Sequence, residues 1–158
     1  VEVNYNLAKN FNLRTAYKYF DIPVDYTKGN LQKPIQPKDR FFVNISYETE
    51  KQENDSQWRF DITFNTIGKQ RLPNTGSNPI QYQLPEYSNP FQLLNSQVTK
   101  VFSDKFEVYF GGENLTNVQQ NNPILGSDNP FGLNFDTTIV YAPIFGRAIY
   151  TGLRFKIN

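Results

Sequence analysis

The sequence predicts an all-β fold, specifically an antiparallel transmembrane β-barrel segment of about seven strands. Three observations carry this expectation. Apolar residues recur at every second position over segments of about 9 to 11 residues, the length of a tilted membrane-crossing strand. The connections between segments alternate between short and long. Aromatic residues reach 16%, with 14 Phe and 10 Tyr, in a chain of only 38% hydrophobic residues and negative mean hydropathy.

The first segment sets Val1, Val3, Tyr5 and Leu7 against Glu2, Asn4 and Asn6, and the second sets Phe11, Leu13, Tyr17 and Tyr19 against Asn12, Arg14 and Lys18. In the third, Phe41, Val43, Ile45 and Tyr47 oppose Arg40, Asn44, Ser46 and Glu48. Trp58, Phe60, Ile62 and Phe64 against Arg59, Asp61, Thr63 and Asn65 give the sharpest alternation. A fifth, weaker segment places Leu94, Val98 and Phe102 opposite Asn95, Gln97 and Thr99. The sixth sets Phe106, Val108 and Phe110 against Glu107, Tyr109 and Glu113, and the last sets Ile149, Leu153, Phe155 and Ile157 against Tyr150, Arg154 and Lys156.

Short turns are expected at Lys9 and Asn10, at Glu53 to Ser56 and at Ser103 to Lys105; long connections run from Asp21 to Asp39, Gly68 to Pro90 and Thr116 to Gly146. All 10 prolines fall in or beside the long connections, where no ladder hydrogen bond is lost. Outer-membrane barrels have this rhythm, with short periplasmic turns and long extracellular loops. Tyr47, Trp58 and Phe106 near the short turns, and Tyr19 and Phe41 near the long loops, fit two interfacial aromatic belts. An odd number of up-and-down strands cannot close antiparallel, and the chain opens inside an alternating pattern at Val1. Residues 1–158 are therefore expected to be the C-terminal part of an outer-membrane β-barrel domain whose earlier strands are absent from this chain.

Composition narrows the chemistry. The sequence has no Cys, His or Met, which removes thiolate, imidazole and thioether ligands and leaves only Tyr or carboxylate ligation open; no metal site and no cofactor are expected. A net charge of +1 without a basic stripe gives no footprint for nucleic acid. Glu107 and Glu113, six residues apart on one strand, would sit about 20 Å apart at about 3.4 Å per residue, too far to share a scissile bond. No enzymatic activity is expected.

The C-terminal third adds ordered motifs. Gly111-Gly112-Glu113-Asn114-Leu115-Thr116-Asn117 is followed by an Asn-rich stretch, then Tyr141-Ala142-Pro143-Ile144-Phe145-Gly146-Arg147, and finally Tyr150-Thr151-Gly152-Leu153-Arg154-Phe155. This order resembles the C-terminus of TonB-dependent receptors, most closely those of the Bacteroidetes type. The resemblance implies a plugged barrel of roughly 22 strands in the bacterial outer membrane. It implies active import of a scarce nutrient such as an iron-siderophore complex, driven by the TonB complex through a plug that this chain lacks. It further implies that Tyr150, Gly152, Leu153 and Phe155 form the signal read by the barrel-assembly machinery.

Within that frame, outer-membrane lipid would cover the apolar face, and the upstream strands and plug of the same receptor would be partners. Arg14, Lys18, Arg59, Asp61, Glu107, Glu113 and Arg154 would face the lumen, either as a wall for plug and ligand or as charges paired across strands. The long loops would present Tyr26, Arg71, Tyr82, Tyr87, Asn121, Asn122, Asp128, Phe131 and Tyr141, exposed, to a polar small-molecule ligand. A passive porin-like channel and a soluble β-sandwich binding domain are the alternative readings.

Overall fold

Alternating β-branched and aromatic residues suit a pleated sheet with one apolar face, and each alternating segment forms a strand. The computed structural model describes residues 1–27 and 29–157. Its strands are β1 (Glu2–Ala8), β2 (Phe11–Tyr19), β3 (Pro23–Tyr26), β4 (Gly29–Gln32), β5 (Asp39–Glu48), β6 (Gln57–Ile67), β7 (Phe91–Val101), β8 (Phe106–Glu113) and β9 (Ala148–Phe155). Seven of them form one antiparallel sheet in the order β1-β2-β5-β6-β7-β8-β9, and β3 and β4 form a separate two-stranded hairpin. The large sheet is open, with β1 and β9 at its edges.

Register decides which residues share a face, because directly paired residues in an antiparallel ladder point the same way. Val3 pairs with Thr15, Thr15 with Val43 and Val43 with Phe64; Phe64 pairs in turn with Leu94. Farther along, Val98 pairs with Phe110, and Val108 with Leu153. The apolar set stays on one face through all six pairings. The opposite set, Arg14 with Asn44, Asn44 with Thr63, Asp61 with Gln97 and Glu107 with Arg154, stays on the other. The one register shift recorded among these pairings, between Asn6 and Ala8 in β1, lies at the strand end, beyond the Val3–Thr15 pair; a one-residue slip within the ladders would exchange the faces.

Sequential antiparallel order gathers the connections at two ends. Residues 9–10, 49–56 and 102–105 lie at one end, and 20–38, 68–90 and 114–147 at the other. Two expectations are corrected in detail. The first long connection is not wholly irregular: it contains the β3–β4 hairpin, where Gly29 takes a φ of 111°, a conformation open mainly to glycine. The fifth strand begins at Phe91, not near Leu94, because Phe91 and Leu93 lie on the otherwise polar face and interrupt the alternation.

Ile67 and Val101 are buried within β6 and β7, but the buried hydrophobic cluster lies outside the sheet. Leu72, only 1% exposed, packs with Leu125 and Ile139, and Ile35, Leu84 and Tyr141 press against them. All six belong to the long connections. By contrast Ile62 and Leu153, within sheet strands, are 46% and 67% exposed.

Candidate functional site

The three long connections form a folded cap. The first joins the second where the Ile35 N–H donates to the Arg71 carbonyl at 2.8 Å and where Pro37 bridges Gln70. The second joins the third where the Gln70 side chain donates to the Tyr141 carbonyl at 2.9 Å and the Tyr82 hydroxyl donates to Asp128 at 2.6 Å. The third is braced internally by Gln120, which donates to the Ile139 carbonyl at 2.7 Å and accepts from the Tyr141 N–H at 2.8 Å. Burying backbone polar groups in a loop requires such partners.

This cap changes the standing of several expected ligand-binding residues. Arg71, expected to be exposed, is 8% exposed: its Nε donates to the Gln32 carbonyl and its guanidinium lies 5.2 Å from the Tyr26 ring centre. A cation that satisfies a partly buried carbonyl and stacks on an aromatic ring is already engaged. Tyr141 is half-buried against the apolar cluster. Tyr82 is half-buried and tied to Asp128, whose carboxylate raises the phenol pKa above its usual value. Tyr26 and Tyr87 keep exposed rings, and Tyr87 bridges Arg71 by backbone. Asn121, Asn122, Asp128 and Phe131 stay exposed, with Phe131 wholly so. The nine residues therefore divide between cap-holding and ligand-accessible positions.

On the polar face of the sheet, the residues expected to face a lumen share one side. Arg59 lies 3.7 Å from Glu48 and 3.4 Å from Glu107, and Arg154 also pairs with Glu107. The Glu107 side chain, 15% exposed, thus lies between two guanidinium groups and links β6 to β9 across β7 and β8. Arg14 donates to Glu2 at 2.9 Å. Asp61 sits between Ser46 and Gln97, and Glu113 is exposed at the strand end opposite Ala148. Lys18 lies 4.6 Å from the Phe20 ring centre and pairs in register with Arg40. Pairing across strands accounts for most of these charges.

Local packing also explains the C-terminal motifs. The Tyr150 ring lies over Gly111, its register partner, and its hydroxyl donates to Gln97 at 3.0 Å. Tyr109 lies over Gly152 in the same way. A Cβ at either glycine would overlap the ring, so Gly111 is a seat for an aromatic ring. Asn114 and Asn117 adopt positive φ values of 50° and 57°. Asn114 donates to the Val118 carbonyl at 2.7 Å and the Phe145 carbonyl at 3.2 Å, while Asn117 accepts from the Arg147 N–H at 3.0 Å. Arg147 in turn donates to the Leu115 carbonyl at 3.0 Å. The Asn-Leu-Thr-Asn and Gly-Arg motifs are thus two halves of one lock that sets the entry to β9. Sequence order placed them in succession but carried no sign of this contact.

Among the described residues, no group of three or more acidic side chains is placed to hold a metal ion. No family model, no curated protein and no solved structure matches this chain.

Proposed function

We propose that this chain supplies C-terminal strands to a TonB-dependent receptor of the bacterial outer membrane that imports a scarce polar nutrient, such as an iron-siderophore complex. The observation that carries the reading is the two-faced sheet: one face is mainly apolar across seven strands, its large side chains exposed or half-exposed, and the other is mainly polar. Soluble monomers rarely expose contiguous apolar patches beyond about 300–600 Å². Lipid is a covering that matches this face.

Aromatic residues band the apolar face. At the short-turn end Phe11, Tyr47, Phe60 and Trp58 follow one another at centroid spacings of 6.1 to 6.2 Å, and Phe102 stacks on Phe106 at 5.5 Å. Lys100, on the apolar face, lies 4.9 Å from the Trp58 ring centre, as an ammonium does when it reaches for headgroups along an apolar surface. Tyr17 pairs with Phe41 at the long-loop end. From Trp58 to Thr66 the strand rises about 27 Å at about 3.4 Å per residue, or roughly 20 Å after a tilt of about 40°, close to the height of an outer-membrane apolar band.

In this reading further strands of the receptor pair with the edges β1 and β9, whose free N–H and C=O groups lipid cannot satisfy. The plug packs against the polar face, the TonB complex acts through that plug, and Tyr150, Gly152, Leu153 and Phe155 serve the assembly machinery. The loop cap faces outward, where a ligand arrives. Deleting the gene and growing cells on limiting iron chelate, cobalamin or glycan tests transport. The expected result is lost growth on one nutrient, reproduced when TonB is deleted. A loss indifferent to TonB supports a passive channel instead, and unimpaired growth on all three contradicts import of these nutrients.

A further inference from the structure

Beneath the cap the polar face turns apolar. Phe42, Ile67, Phe91 and Leu93 point to that side at the long-loop end, and residues 140–143 cross above them. A cavity of about 540 Å³ lies between floor and roof. That size lies in the usual range for small-molecule sites, which are mostly apolar with a few placed polar groups. Both charged residues lining it, Lys18 and Arg40, are cations. They are register partners on β2 and β5, and among the described residues neither has an acidic side chain within 4.0 Å. Elsewhere on this face Arg14, Arg59 and Arg154 each have a carboxylate partner.

We propose that this cavity binds a small organic anion with an apolar, ring-sized body, its anionic head held by Lys18 and Arg40 and its body lying on Phe42, Ile67, Phe91 and Leu93. Two adjacent like charges repel, and a carboxylate between them removes the repulsion while accepting charge-assisted hydrogen bonds. The apolar floor gains by exchanging water for the ligand's hydrocarbon surface. Neither argument depends on lipid covering the opposite face, so the site stands apart from the transport reading.

The test uses the purified full-length protein, with 2-naphthoate and its neutral analogue 2-naphthamide as probes in equilibrium dialysis. The wild-type protein is expected to bind the anion at least about tenfold more tightly than the amide. The double variant Lys18→Gln and Arg40→Gln abolishes that preference, whereas Arg154→Gln, a cation on the same face outside the cavity, retains it. Ala142→Phe, which fills the roof, weakens both probes. Circular dichroism and cooperative thermal unfolding confirm that each variant folds, and a variant that fails either check is replaced by Lys18→Met or Arg40→Met. Equal affinities of the two probes for wild type, a preference that survives the double variant, or binding indifferent to Ala142→Phe would each overturn the proposal.

Discussion

The sheet and the cap invert the usual division of labour between strands and loops. In most domains strands bury the core and loops are solvated; here Leu72, Leu125 and Ile139 in the connections are buried while Ile62, Leu153 and Phe155 in the strands are exposed. A cap with its own core is held by protein contacts. A sheet with one uncovered apolar face is held by backbone hydrogen bonds and by whatever covers that face. The two regions should therefore respond to different perturbations.

The largest expected effect separates the two faces of one strand. Ile62→Arg places a cation mid-strand on the apolar face and should destabilise the protein in a bilayer by about 2–4 kcal/mol, measured by urea unfolding in lipid vesicles. Thr63→Arg, one residue on and pointing to the polar face, should cost far less. Equal effects would erase the distinction between the faces.

Within the cap, Leu72→Ala removes the most buried large side chain and should cost about 2–3 kcal/mol, at the lower end for a buried leucine because the cluster is small. Hydrogen exchange should show the loss in 68–90 and 114–147, with the ladder from β5 to β8 unchanged. If the ladder loosens as well, cap and sheet are one cooperative unit.

A smaller effect, about 1–3 kcal/mol, is expected for Gly152→Ala, since the new methyl group meets the Tyr109 ring. Pairing it with Tyr109→Ala should recover part of the loss, and an additive double variant would show that the ring does not seat on the glycine. The smallest effect concerns pH. The raised pKa of Tyr82 means that its tie to Asp128 is fully present below the ordinary phenol value of 10.0 and is lost as pH rises through the folded-state value. Protease nicking of the 68–90 connection should increase in that alkaline window, and Tyr82→Phe should show no such rise.

The sequence makes the sheet readable because period-two alternation is a local signal repeated in each strand. It blurs where that signal mixes: Phe91 and Leu93 belong to the cavity floor, so β7 looks three residues shorter than it is. The cap is opaque for the opposite reason. Leu72, Leu125 and Ile139 lie far apart in sequence and follow no period, and nothing local distinguishes the buried, carbonyl-bound Arg71 from a solvated loop arginine. Lys18 and Arg40 read as ordinary polar-face residues, and only the register and the overlying 140–143 segment reveal them as two adjacent cations with no carboxylate partner among the described residues.

The central claim is that the apolar face meets lipid. A single cysteine introduced at Ile62 or at Thr63, in a background without other cysteines, can carry a fluorophore in the protein reconstituted into vesicles with brominated acyl chains. The account predicts strong quenching at position 62 and little at 63. Equal quenching at the two positions, or a protein that stays monomeric and folded without detergent or lipid, would contradict it.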